Sequence, residues 1–224
     1  LVPHQRQLDL EAAKQVDVFI ANSTETQKRI KKYYKRSSTV IHPPVETSRF
    51  TPARKRGDHY VTIGRQLPYK RYDLAVKAAT KLNKKLIVFG NGPAHDQLVK
   101  IAGPTIEFRT DRFGDASDAE YEKAITTARG FIYPAEEDFG IVSVEALAAG
   151  APVIGLARGG TTDIVTSPDV GTLFHHQTVD DVVKAVEIAE QTSFHPSKLA
   201  RTAKRFDKGL FLTKIKKVVR DSIS

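Results

Sequence analysis

Strand candidates, rich in apolar or alternating apolar residues, recur along the chain at 59–63, 85–89, 105–109, 130–133, 152–156 and 171–174. Leu86-Ile87-Val88-Phe89 is apolar at every position, as a parallel strand buried on both faces must be. Stretches of helical periodicity lie between and after these runs, at 70–81, 93–101, 118–128, 141–149, 160–166, 178–190 and 196–204. Ser117 and Glu120 have the spacing of a capping box for the third of these helices. Strand–helix alternation predicts an α/β fold built on a doubly wound parallel sheet.

The two ends of the chain differ from this middle. A helix from about Gln7 to Gln15 precedes a strand at 16–20, and Asn22 with Glu25 three residues later marks a helix start running to about Tyr34. A short strand, Thr39-Val40-Ile41, is stopped by His42-Pro43-Pro44. Residues 46–57 are polar, carry Pro52 and read as a linker. At the far end a helix at about 210–222 puts Phe211, Ile215, Val218 and Val219 on one face, a stripe expected to pack on another part of the protein. The predicted segments are therefore 1–45, 46–57, 58–205 and 206–224.

Composition narrows the chemistry. The 224 residues include 40% hydrophobic residues, enough for a substantial core. With no cysteine, disulfides, thiolate metal sites and cysteine nucleophiles are excluded. Methionine is absent even at position 1, so the chain reads as a fragment or as a processed or engineered product. The sequence has no run of membrane-spanning length and no signal-peptide pattern, so a cytoplasmic location is expected. The net charge of +9 favours anionic partners. Lys28, Arg29, Lys31, Lys32, Lys35 and Arg36 concentrate part of it. They form a solvated helix face or a contact for the inner face of a membrane. The seven histidines lack metal-ligand spacing, so no metal site is predicted.

Two constellations carry candidate chemistry. The strand at 59–63 runs into Gly64-Arg65-Gln66-Leu67-Pro68-Tyr69-Lys70-Arg71. Arg65 with a cation at the next helix start, Lys70 or Arg71, makes a receptor for a diphosphate. The strand at 130–133 runs into Glu137-Asp138-Phe139-Gly140-Ile141 and then a helix that carries Glu145. A helix start suits a phosphate, so carboxylates beside it call for another partner, and sugar hydroxyls are the natural one. Arg65, Gly90 to Gly92 and Glu137 all fall beyond carboxyl ends of predicted strands, where ligands bind in such sheets.

These segments, with Gly90-Asn91-Gly92-Pro93 and Ala149-Gly150-Ala151-Pro152-Val153-Ile154, resemble the donor-binding half of retaining glycosyltransferases of family 4. The resemblance covers nearly the whole chain and points most to mannosyltransferases of polysaccharide assembly. It implies the C-terminal, Rossmann-like domain of a GT-B fold at 58–205. Residues 1–45 then resemble the end of the acceptor domain, and 206–224 the helix that crosses back. It implies that Arg65, Lys70 and Glu137 act in catalysis, the two cations on the diphosphate and Glu137 on the transferred sugar. Gly64, Gly92, Phe139, Gly140 and Ile141 would line the donor site, and Glu145 would accept from the ribose hydroxyls. Gly92 and the loop from Arg109 to Phe113 are expected near the base. Asp163 departs from the pattern, because many relatives carry Glu after the Gly159-Gly160 pair.

The implied activity is transfer of a hexose, with mannose from GDP-mannose favoured, to a glycan or lipid-linked acceptor. No cofactor and no nucleic acid are expected. The alternatives are a GT-B phosphorylase or epimerase, or a non-catalytic basic module for anionic lipid or nucleic acid. Pyridoxal phosphate would mark a phosphorylase, and nothing in the sequence marks a lysine for it.

Overall fold

A computed structural model describes residues 2–110 and 116–223, the side chains of 116–118 excepted. The chain opens with α1 (Val2–Lys14), β1 (Phe19–Ala21), α2 (Thr24–Tyr34) and β2 (Ser38–Val40). Then come β3 (Tyr60–Ile63), α3 (Tyr72–Lys81), β4 (Leu86–Phe89), α4 (His95–Ile101), β5 (Ile106–Arg109) and α5 (Ala116–Thr127). A second series follows: β6 (Gly130–Tyr133), α6 (Ile141–Ala148), β7 (Val153–Leu156), α7 (Thr161–Ile164), β8 (Gly171–Phe174), α8 (Val179–Gln191), α9 (Pro196–Ala203) and α10 (Lys208–Ser222). β3 to β8 form one parallel sheet in the order β5-β4-β3-β6-β7-β8, while β1 and β2 pair separately.

Alternation along the strands builds two cores. Val61, Ile63, Phe131 and Tyr133 point to one face with α5, α6 and α9. Tyr60, Leu86, Val88 and Ile132 point to the other with α3, α4 and α8. Every residue of β3, β4, β6 and β7 is buried, which accounts for their largely apolar composition, Thr62 excepted. Chain order reverses between β3 and β6, which are neighbours in the sheet although β4 and β5 intervene in sequence. That reversal opens a crevice at their carboxyl ends.

Several boundaries differ from the sequence expectation. Ser23, not Asn22, caps α2, accepting from the Thr26 amide. The segment expected to start a helix at 70 is first a 3-10 turn, Pro68–Lys70, and Arg71 takes a left-handed φ of 55° before α3 begins. Phe50 of the linker, and Val45 just before it, are buried in the core. The Val45 amide donates to Phe206 O at 3.0 Å and the Lys208 amide to Val45 O at 3.2 Å. Entry into the central sheet domain and exit from it therefore lie side by side. On α10, Phe211, Ile215 and Val218 are half-buried, but Val219 is exposed and no residue of the helix is buried. Residues 111–115 of the loop after Arg109 and the Ser117 side chain lie outside the described residues, but Ser117 itself falls within α5 and not before it, so it is not the cap that the sequence suggested.

Candidate functional site

A cleft of about 530 Å³ opens at the β3/β6 reversal. Ile63 and Gly64 at the end of β3 and Tyr133 at the end of β6 form its floor. Gly64 has a φ of 142°, and a Cβ there would lie 2.5 Å from the Tyr72 hydroxyl; that hydroxyl donates to Ile63 O at 2.7 Å. Only glycine fits this turn. Gln66, fully buried, ties the turn to the next loop: its Nε2 donates to Gly90 O at 2.7 Å, and its Oε1 meets His95 Nδ1 at 2.8 Å. Gly92 packs on the same Gln66, where a Cβ would stand 2.7 Å from its carbonyl oxygen.

The loop after β6 supplies the opposite wall. Gly140 caps α6 with a φ of 94°, and Gly140, Ile141 and Val142 at the amino end of α6 line the cleft. Glu137 and Lys70 meet across the cleft at 2.7 Å, with side chains 22% and 16% exposed. Such a half-buried pair is screened less than a surface one. The Tyr133 hydroxyl donates to the other Glu137 oxygen. Burial, reinforced by Glu137, pushes the Tyr133 phenol up, so it stays protonated as a donor. The Gly159-Gly160 turn supports this loop from behind. The Gly160 amide donates to Glu137 O at 2.9 Å. A Cβ on Gly159 would stand 2.2 Å from that oxygen, and one on Gly160 2.2 Å from Phe139 Cα.

The cleft thus gathers Gly64, Lys70, Glu137, Phe139, Gly140 and Ile141. It leaves other expected residues outside its lining. Arg65 is exposed at the surface. Gly92 lies on the adjoining loop, half-buried. Glu145 sits one turn into α6, half-buried, with the Tyr121 hydroxyl donating to it at 3.0 Å. Of the two candidate cations, Lys70 lines this cleft, while Arg71 forms a two-pronged pair with Asp73 at 3.0 and 3.3 Å and lines the adjoining depression. No group of three or more potential metal ligands occurs among the described residues.

Residues unremarked as site groups in the sequence also converge here. Asn22 and Pro43, from the N-terminal segment, line the cleft. Arg29 of α2 pairs with Asp138, next to Glu137. Asp163 accepts from the Thr24 amide at 2.8 Å, the Thr24 hydroxyl, and His42 Nε2 at 2.9 Å. Burial works to raise the Asp163 carboxyl, but the hydrogen bonds from Thr24 and His42 outweigh it and hold the group below its ordinary range. These pairs span 109 to 139 residues of sequence, so no local pattern signals them.

Comparison with known proteins agrees with this geometry. The family model described as glycosyl transferases group 1 matches residues 44–206. D-inositol 3-phosphate glycosyltransferase of Mycobacterium leprae (strain Br4923) is 30% identical over 167 residues, 66% of this chain and 39% of the relative. The protein of that name from Mycolicibacterium gilvum (strain PYR-GCK) is 28% identical over 186 residues, 73% of this chain and 41% of the relative. The chain spans about two fifths of the length of these curated relatives. Among solved structures, sucrose-phosphate synthase from Thermosynechococcus elongatus superposes with a TM-score of 0.81 at 18% identity, covering 98% of this chain and 61% of that one. HepE from Anabaena, solved in complex with UDP and glucose, gives 0.80 at 18% identity, covering 96% and 66%. These neighbours share the fold, that of GT-B glycosyltransferases. The chain belongs to the glycosyl transferases group 1 family.

Proposed function

We propose that this chain is the donor-binding half of a retaining glycosyltransferase that takes a hexose from a nucleoside diphosphate sugar. The observation that carries the reading is the Lys70–Glu137 pair at 2.7 Å, set at the sheet reversal and facing the amino end of α6. On donor arrival Lys70 exchanges the carboxylate for a diphosphate oxygen, and Glu137 turns to sugar hydroxyls. Charge-assisted contacts of this kind are among the stronger hydrogen bonds, and a cation that holds the leaving diphosphate lowers the barrier to its departure. The sugar–diphosphate bond breaks, the acceptor oxygen bonds to the same carbon from the same face, and the acceptor proton leaves with the diphosphate. No resident cofactor enters this scheme.

Mannose from GDP-mannose is the preferred donor in this reading, and UDP-sugars belong beside it because HepE was solved with UDP and glucose. Titration calorimetry with GDP-, UDP- and ADP-sugars tests it. Saturable binding of one of them, weakened in Lys70→Ala, is the expected result; no binding of any of them overturns the reading.

A contact with an anionic membrane surface is a second element of the proposal. Lys28, Lys31, Lys35 and Arg36 line a depression on α2 and its exit loop together with Gln27, Ser37 and Ser38, with no carboxylate among them. Co-sedimentation with vesicles rich in anionic lipid should be strong at low salt and fade as salt screens the charges.

A further inference from the structure

We propose that Asp163 is a positioning residue whose carboxylate pins the N-terminal wall of the cleft, Asn22 and Pro43, against the Glu137–Phe139 wall. The inference rests on the donor-site reading only for what the cleft binds; the latch itself stands on geometry.

Asp163 lies on α7, four residues after Gly159. Its own amide donates to Gly160 O at 3.0 Å, and the Gly160 amide donates to Glu137 O at 2.9 Å. The carboxylate is thus fixed to the loop that carries Glu137. Its side chain is 7% exposed, so its acceptors cannot rely on water. It finds its donors on two segments that belong to the other wall. One is the first residue of α2, through the amide and the hydroxyl of Thr24. The other is His42, next to Pro43.

The α2 contact is charge-matched. Ser23 satisfies the Thr26 amide, and Asp163 takes the Thr24 amide, so an anion sits at the positive end of the helix. His42 is gripped a second time by its ring, which lies 5.4 Å from the Phe139 ring and meets Phe206 edge-on at 5.1 Å. One carboxylate therefore joins Thr24, two residues after Asn22, with His42, beside Pro43, and with the loop beneath Glu137. An aspartate fits this role better than a glutamate, because the short side chain leaves one fewer torsion to fix.

The test is amide hydrogen exchange on the 224-residue chain with Asp163→Ala and His42→Phe. The second variant keeps a ring against Phe139 and Phe206 and removes the nitrogen donor. The expected result is exchange across 22–28 faster by roughly tenfold in Asp163→Ala, as loss of charge-assisted hydrogen bonds implies. His42→Phe should show a smaller change of the same pattern, and exchange in β3 and β6 should match the wild type. UDP-glucose or GDP-mannose, whichever the wild type binds, should bind about tenfold more weakly to Asp163→Ala. Unchanged exchange across 22–28, or a uniform rise that includes β3 and β6, overturns the latch. Should Asp163→Ala fail to fold, His42→Phe decides by the same measure. Absence of nucleotide-sugar binding in the wild type would count against the donor reading and leave the exchange result to judge the latch.

Discussion

Glu137 touches two groups of unlike charge, Lys70 and Tyr133, and substitutions separate their roles. Lys70→Ala removes the cation and leaves a half-buried carboxylate behind. Binding of a bare nucleoside diphosphate should fall by about tenfold to a hundredfold, the weight of one charge-assisted contact. Glu137→Gln keeps the shape and frees Lys70 from its competitor. Bare diphosphate should then bind at least as tightly, while the sugar nucleotide loses affinity. Calorimetry with both ligands checks the pair; equal losses for both in Glu137→Gln would rule out a sugar role. Glu137 was legible in the sequence because it follows closely on a strand end, whereas Lys70 and its neighbour Arg71 could not be told apart there. Tyr133 read as one more strand residue, since its hydroxyl has meaning only once Glu137 folds back over it.

Two turns hold the Glu137–Phe139 wall as elements, and they differ in what they tolerate. Gly140→Ala must accept a φ of 94° and a Cβ 3.1 Å from the Tyr133 ring, a cost of about 1–2 kcal/mol. Gly160→Ala drives a Cβ to 2.2 Å from Phe139 Cα. Main chain cannot swing aside as a side chain does, so this variant should lose about 2–3 kcal/mol or more. Thermal unfolding of the two should rank Gly160→Ala below Gly140→Ala.

The junction between α2, the linker and α10 depends on acid groups. Asp163 is held below its ordinary 3.8 by Thr24 and His42 against the pull of burial, and Asp207 is held low by Thr47 first and then by the Gly209 amide. A depressed carboxyl stabilises fully above its unfolded value and loses that contribution as pH falls through the folded value. The junction should therefore loosen below about pH 3.8. Pepsin cleavage within 22–50 should appear there before cleavage in β3 or β6.

At the scale of the whole molecule, the centre of the sheet is buried and the two terminal helices are not. No residue of α1 or α10 is buried, and Val18, Ile20, Leu210 and Leu212 stand exposed. No helix among the described residues is long and apolar enough to cross a membrane. In the proposed reading the acceptor half of a GT-B enzyme covers these faces and supplies the other side of the reaction. The chain as it stands should bind donor without transferring sugar, and joining it to an acceptor half of the family should produce transfer, measured as release of nucleoside diphosphate that depends on acceptor. Release at the same rate without that half would overturn the division of labour.

The sequence by itself determined the order of elements, the buried parallel strands and the two loops that end at Lys70 and Glu137. Periodicity and glycine placement are local properties, and a strand-to-helix turn exposes its chemistry at a predictable offset. Tertiary structure alone decided which cation lines the cleft: Lys70 does, while Arg71 is paired with Asp73. It also decided that Phe50 of the linker packs into the core, and that Asp163 reaches back 139 residues to the start of α2. Such contacts form between surfaces that meet only after the sheet has closed, and no spacing along the chain encodes them.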